Sequence, residues 1–312
     1  MMHLRCALTA ATAAALLFQL SPVALRGQSA ASAPVRFGLV TDVHFADIDS
    51  NGARTYRESD RKLAECVQVM NDQHVDFLVE LGDFKDQAVP SQEASTLSFL
   101  RHIESVFAGF RGPRYHVLGN HDVDSLSKSQ FLSIANNDKT ASPGSYYQFV
   151  RNGIRFVALD ADHRSDGSDY DHGNFDWGDA NVDTAQLDWL ERTLLASREP
   201  AVVLIHQQLD GEGAYYVRNA AAVRRRLEAS GRVLVVFQGH RHEGGFSMIN
   251  GIPYYTLKGA IEGAGEANNA YAIVSVGPDG VVAVSGFRRA ESRSFQAALP
   301  LKEKSDLFSG AR

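Results

Sequence analysis

The sequence predicts an α/β fold, on three observations. Short apolar runs of strand length alternate with longer segments whose apolar residues recur at helical spacing. Five of the strand-like runs end in a polar motif on their C-terminal side, where open α/β sheets bind ligands. No internal repeat, Pro-rich linker or second composition regime interrupts residues 34–287, so one domain accounts for them. Residues 288–312 show no clear period and are expected to form a tail that is disordered in part.

The chain has 312 residues, 44% hydrophobic and 22% charged, ample for a large core. A formal net charge of -6 offers no basic surface for nucleic acid. Residues 1–33 combine a basic start at Arg5, an Ala- and Leu-rich run over 7–20 and small residues beyond it. That is the pattern of a signal peptide, with cleavage expected near 27–33 and a periplasmic or secreted mature chain. The apolar run is too short to span a bilayer comfortably, so no mature transmembrane segment is expected. Cys6 lies in this leader, ahead of the apolar run; Cys66 is then alone and fits a small buried hydrophobe.

Along the chain, residues 35–40 form a strand-like run followed by Asp42 and His44. Residues 57–71 are helical through Leu63, Cys66, Val67 and Met70, and 76–81 is a strand leading to Gly82-Asp83. A helix over 91–107 precedes the run 115–118, which delivers Gly119-Asn120-His121-Asp122. Asn152-Gly153 and Asn250-Gly251 each separate two strand-like runs, the strongest short-range hairpin signal. Pro278-Asp279-Gly280 marks a third hairpin, between 270–276 and 281–286. Residues 161–183 read as a long Asp- and Gly-rich loop, followed by a helix over 184–196 capped by Asp183 or Thr184. The strand 201–205 delivers His206, a basic helix spans 219–229, and the strand 232–238 delivers Gly239-His240-Arg241-His242.

A single histidine after a strand is usually a satisfied structural residue. Five strand ends supplying carboxylate, imidazole and amide oxygen together are hard to obtain by chance. Asp42-x-His44, Gly82-Asp83, Gly119-Asn120-His121-Asp122, His206 and Gly239-His240-x-His242 resemble, in order, the motif set of the calcineurin-like metallophosphoesterases. A narrower likeness rests on Ala46-Asp47, Arg54-x-Tyr56-Arg57, Gly244-Gly245-Phe246-Ser247 and Leu257-x-Gly259-x-Ile261-Glu262. These resemble the manganese-dependent ADP-ribose/CDP-alcohol diphosphatase branch, with one departure: that branch carries Gln where His44 stands.

The resemblance implies a two-sheet β-sandwich flanked by helices, in four α/β/β/α layers, with a metal site at the strand C-termini. It implies two divalent or transition metal ions, Mn, Fe or Zn. One would be held by Asp42, His44, Asp83 and His242, the other by Asp83, Asn120, His206 and His240. It implies hydrolysis of a phosphodiester or nucleotide-type diphosphate in a small phosphorylated substrate, by in-line attack of a metal-bridging hydroxide. His121 would be the general acid and Asp122 its orienting partner. A phosphomonoesterase, a mononuclear hydrolase and a non-catalytic scaffold of the same fold are the competing expectations.

Beyond these, Arg54, Tyr56 and Arg57 either clamp a second phosphate or begin an exposed helix, and Asp86 supports the site or lies on the surface. His163, Asp166, Asp169, Asp171 and His172 read as solvated loop; Trp177 and Tyr215 either stack on a base or sugar at the pocket rim or, the favoured reading, serve as core packing or loop anchors.

Overall fold

Residues 34–277 and 279–297 are described by a computed structural model. The expected leader and residues 298–312 of the expected tail lie outside them. In chain order the elements are β1 (Val35–Val40), α1 (Ser59–Asp72), β2 (Phe77–Glu80), α2 (Glu93–Phe107), β3 (Arg114–His116), α3 (Lys128–Leu132), β4 (Tyr147–Arg151), β5 (Ile154–Ala158), α4 (Thr184–Leu195), β6 (Ala201–Leu204), α5 (Ala220–Ser230), β7 (Val233–Gln238), β8 (Gly245–Ile249), β9 (Ile252–Thr256), β10 (Ala270–Val276), β11 (Val281–Arg288) and β12 (Arg293–Gln296).

The strands form two six-stranded sheets, ordered β12-β11-β10-β1-β2-β3 and β4-β5-β6-β7-β9-β8. In the first, β1, β2 and β3 run parallel while β10 pairs antiparallel to β1. In the second, β5, β6, β7 and β9 are parallel, with antiparallel β4 and β8 at the edges. Parallel strands all deliver their C-termini at one end of a sheet, and that directional constraint is what gathers the polar motifs.

The inner faces of the two sheets meet over aromatic side chains. Phe37 stacks on Phe77 at 5.0 Å and meets Phe156 edge-on at 5.2 Å. Truncating one such ring to Ala typically costs about 3–5 kcal/mol, much of the roughly 5–15 kcal/mol net stability of a domain. The outer face of the first sheet packs against Leu63, Cys66 and Met70 of α1 and Leu100, Ile103 and Phe107 of α2. The outer face of the second packs against Leu187, Leu190 and Leu194 of α4 and Val223 and Leu227 of α5. The layers are therefore α/β/β/α, as the motif resemblance implies. Cys66 is free and buried, and burial pushes its thiol pKa up. Among the described residues no helix is long and apolar enough to cross a membrane.

Both Asn-Gly pairs turn as the sequence predicts, with positive φ at Asn152 and Gly153 (46° and 77°) and at Asn250 and Gly251 (48° and 81°). Asp183 caps α4 by accepting a 2.7 Å bond from the Gln186 amide. Two elements escape the periodicity. Helix α3 is only five residues long, too short to show a period, although Ser127 and Gln130 form its capping box. Strand β12 lies inside the stretch read as a tail and pairs with β11 at the sheet edge. Its side chains are exposed apart from a half-buried Phe295, so no alternation marks it.

The loop over 161–183 is more built than its composition suggests. Tyr170 is buried and stacks on Phe175 at 3.9 Å. His163 is buried rather than solvated, with Nε2 3.1 Å from Asp169. Lys128 at the start of α3 reaches both Asp160 and Asp169 at 2.7 Å. Asp166, Asp171 and His172 are exposed as expected.

One buried ionic group lies beneath the strand ends. His116 on β3 places Nδ1 3.4 Å from Glu80 and Nε2 3.1 Å from Glu104. Burial lowers the His116 pKa, but the two carboxylates outweigh it and raise it from 6.5 to about 9. Burial raises Glu80 from 4.5 to about 8 against the pull of His116. Both groups hold protons more tightly folded than unfolded, so their stabilisation is lost as pH rises through these folded values. The urea midpoint is expected to fall between about pH 7 and about pH 9, and the double variant His116→Gln with Glu80→Gln to flatten that fall. An unchanged slope in the variant would refute the assignment.

Candidate metal centre

The turns after five parallel strands converge on one point. Asp42 and His44 follow β1, Asp83 follows β2, Asn120 and His121 follow β3, His206 follows β6, and His240 and His242 follow β7. The backbone at four of them is left-handed: Asp42 φ 52°, His44 φ 49°, Asp83 φ 57° and His240 φ 65°. Non-glycine residues there are strained, and such strain concentrates at functional sites. The turns interlock through bonds from the Asp42 amide to the Gly82 carbonyl (3.0 Å) and from the His44 amide to the Asp83 carbonyl (2.9 Å).

Two groups of donor atoms result. In the first, His242 Nε2 lies 3.2 Å from Asp42 Oδ1 and 3.3 Å from His44 Nε2. In the second, His206 Nε2 lies 3.1 Å from Asp83 Oδ2, with His240 close enough to complete the cluster. Asp83 Oδ2 is also 3.5 Å from His44 Nε2, so this one carboxylate faces both groups.

The ring orientations are fixed from behind. His206 donates from Nδ1 to the Leu81 carbonyl (2.8 Å) and His242 from Nδ1 to Glu262 (2.6 Å). Each Nε2 is thereby turned toward a carboxylate, an arrangement typical of metal-ligating histidines. Protonation could relieve part of it, since Asp83 and Asp42 raise the pKa of His206 and His242 against the lowering effect of burial. Protonation does not relieve the rest. Burial and His206 drive His240 down to about 3, so it stays neutral, and its buried Nε2 has no hydrogen-bond partner. Asn120 Oδ1 is buried without a hydrogen-bond partner as well. Orphaned donors of this kind are costly unless something binds them. Oxygen and imidazole donors without thiolate suit Mn, Fe or Zn. The residue set fits metal.

The family profile of calcineurin-like phosphoesterases matches residues 35–244. The chain belongs to the calcineurin-like phosphoesterase family. Curated relatives include the manganese-dependent ADP-ribose/CDP-alcohol diphosphatase of Oryza sativa subsp. japonica. It is 27% identical over 303 residues, covering 82% of this chain and 92% of the relative. The Homo sapiens protein of the same name is 26% identical, covering 78% and 87%. A dimetal phosphatase from Danio rerio shares the fold with a TM-score of 0.75 at 24% identity, covering 85% of this chain and all of the other. A purple acid phosphatase from yellow lupin aligns with a TM-score of 0.58 at 12% identity, covering 85% of this chain and 53% of its own.

In this calcineurin-like phosphoesterase the centre opens into a cavity of about 370 Å³ lined by Arg54, Gln87, His121, Trp177 and Tyr215 among others. Three expectations need correction here. Of the Arg54, Tyr56 and Arg57 trio, only Arg54 lines the cavity. Tyr56 is buried against Ala46 and Ile261, and the exposed Arg57 is engaged by Asp47 (2.5 Å) and Asp49 (2.8 Å). Trp177 and Tyr215 are not core; their rings meet each other at 5.3 Å. They are 42% and 45% exposed, and their rings lie 5.7 and 5.6 Å from His240 at the cavity rim.

The third correction concerns Asp122, which does not touch the His121 ring. It is fully buried and accepts amide bonds from Gly119 (2.9 Å), Asp83 (3.1 Å) and Phe84 (2.9 Å). Its work is to tie the two turns together. His121 is held instead by Asp86 at 3.3 Å, with Asp124 3.6 Å away. The other oxygen of Asp86 lies 3.3 Å from His44 Nδ1. Asp86 is 8% exposed in its side chain, which settles its place beside the site rather than on the surface. Lys85 was not singled out from sequence, yet its buried ammonium bonds Asp124 and the His121 carbonyl. The alternation of Gly82-Asp83-Phe84-Lys85-Asp86 was the only signal available.

Gly119 sits at φ -118°, extended backbone that any residue can adopt, so turn geometry does not explain it. Close approach does: a Cβ there would press on the Asp83 backbone nitrogen and lie 2.5 Å from Asp83 Oδ1. Gly119→Ala is expected to displace the Asp83 turn together with its carboxylate while the fold survives, and overpacking of this kind costs about 1–3 kcal/mol. Mn2+ titration by calorimetry should show roughly 5- to 150-fold weaker binding, with unchanged far-ultraviolet dichroism. Wild-type affinity would show that the contact carries no weight.

Proposed function

We propose that this chain is a binuclear-metal phosphoesterase that hydrolyses phosphodiester or nucleotide-type diphosphate bonds. The observation that carries the reading is the pair of buried donor groups with Asp83 Oδ2 facing both, and with His240 Nε2 and Asn120 Oδ1 lacking hydrogen-bond partners. Asp42, His44, Asp83 and His242 would hold one ion, and Asp83, Asn120, His206 and His240 the other. Bound there, two divalent ions supply positive charge for the phosphate oxygens and bring the pKa of a coordinated water toward neutrality.

The protein's own groups provide the rest. His121 projects a 29% exposed side chain into the cavity while Asp86 holds its Nδ1. That leaves Nε2 to give a proton to the departing oxygen. Desolvation lowers the His121 pKa, but Asp83 and Asp86 outweigh it and hold it well above the ordinary histidine value. The imidazole therefore starts in its acid form at neutral pH. Arg54 supports a substrate with a second phosphate, since it lines the cavity and, against the effect of burial, Tyr56, Asp83 and Asp86 keep its guanidinium charged. The names of the curated relatives, ADP-ribose/CDP-alcohol diphosphatases, support the same class.

The test is turnover of ADP-ribose, bis-p-nitrophenyl phosphate and p-nitrophenyl phosphate with added Mn2+. No turnover of any of the three by metal-loaded protein would overturn the reading. His121→Ala should keep both metals and lose about 10²- to 10⁴-fold on ADP-ribose. Its loss on the p-nitrophenyl esters should be much smaller, because their leaving group needs no proton. Equal losses on both would remove the acid role. Arg54→Ala should raise KM for ADP-ribose by about 10- to 100-fold, the worth of a charge-assisted hydrogen bond. KM for p-nitrophenyl phosphate should barely move; a parallel rise would assign Arg54 to the metal-bound phosphate instead.

A further inference from the structure

Lys62 is the buried charge among the described residues that the metal centre leaves unexplained. It lies on α1, is 1% exposed and has no carboxylate within ion-pair distance among the described residues. Its ammonium donates instead to four consecutive carbonyls, those of Ala260 (2.9 Å), Ile261 (3.3 Å), Glu262 (3.3 Å) and Gly263 (2.5 Å). An ammonium has three protons, so four acceptors in one arc share them, much as carbonyls share a bound cation. A buried charge needs a reason to be retained, since apolar packing usually serves stability as well.

The turn it grips supplies one. Glu262 reaches 2.6 Å to His242 Nδ1 and so sets which way that ring faces. The same turn is bonded to the end of β1, through the Ala260 amide to Thr41 (3.0 Å) and the Ile261 amide to Asp42 (2.9 Å). Thr55 adds bonds to the Ile261 and Gly263 carbonyls at 3.2 and 3.1 Å. All of these contacts lead to Asp42 and His242. Onward from Asp42, the His240 amide donates to its Oδ2 at 3.1 Å, whereas the His206 ring is set separately by the Leu81 carbonyl.

We infer that Lys62 is a positioning residue for one half of the centre, acting through the 260–263 turn and Glu262 to aim His242 at its metal. Resting on the two-metal reading above, this predicts an asymmetric defect. Lys62→Ala should weaken the ion held by Asp42, His44 and His242 by about 10- to 100-fold, the usual effect of removing support behind a ligand. The ion held by His206, His240 and Asn120 should keep its affinity. A residue that mattered only for folding would weaken both together.

Mn2+ binding followed by calorimetry and electron paramagnetic resonance separates these outcomes. Wild type should take up two ions and show a coupled pair; the variant at the same free Mn2+ should show an isolated ion. A small cavity of about 140 Å³ lined by Glu58, Arg61, Lys62, Gly265 and Glu266 lies beside the truncated side chain. Added n-propylammonium should therefore restore the second ion. If Lys62→Ala fails to fold, Glu262→Gln leaves the ammonium contacts intact and should show the same one-sided loss. Two ions bound with wild-type affinity in either folded variant, or parallel loss of both, would overturn the inference. A wild-type chain that binds fewer than two would instead overturn the reading it rests on.

Discussion

Everything at the strand ends depends on how closely the turns after β2 and β3 approach each other. Asp122 makes that approach possible. Its buried carboxylate accepts amides from Gly119 in its own turn and from Asp83 and Phe84 in the other. The neighbouring His121 amide donates back to Asp83 Oδ1 at 2.8 Å. The reciprocal bonds lock the one carboxylate that faces both donor groups. Asp83 thus has one oxygen oriented by the backbone and the other turned toward His44 and His206. A side chain free to rotate could not serve two sites at once.

The strain around it follows from the same constraint. Left-handed backbone at Asp42, His44, Asp83 and His240 costs about 1–3 kcal/mol per residue. It persists because strands on both sides are fixed by a core of stacked aromatic rings, which sets where each turn must begin. Rigid sheets therefore carry the turns into conformations they would not choose alone. What they obtain is a short path from strand end to ligand, with little chain left to fluctuate.

Much of this was legible in the sequence, and the reasons differ by feature. Periodicity and Asn-Gly pairs placed most strands and helices, because burial on one face leaves a repeating mark. The polar residues at five strand ends were legible because parallel strands leave those positions nowhere else to gather. Partner choice was not legible. Asp122 and Asp86 are both carboxylates near His121 in sequence or space, and only the fold shows that the adjacent one bonds amides while the distant one holds the ring. Arg57 was lost to Asp47 and Asp49, a local pairing across a loop that carries no period. For Trp177 and Tyr215 the rim reading stands second from sequence, because large aromatics are usually core and the cavity that exposes them is formed by residues far apart in the chain.

Lys62 shows a further limit of sequence reading. At helical spacing it falls between Leu63 and Cys66 and the polar face, and its pattern is that of an ordinary edge lysine. Its partners are backbone carbonyls about 200 residues away, which have no side-chain identity to read. The residues that recognise a ligand leave a motif because their chemistry is specific. Those that hold the recognising residues in place often bond to backbone, where any sequence offers the same acceptor. In this fold the two kinds meet at Glu262, whose side chain aims His242 and whose carbonyl is gripped by the lysine. The visible half of the centre was written in side chains, and the hidden half in the main chain.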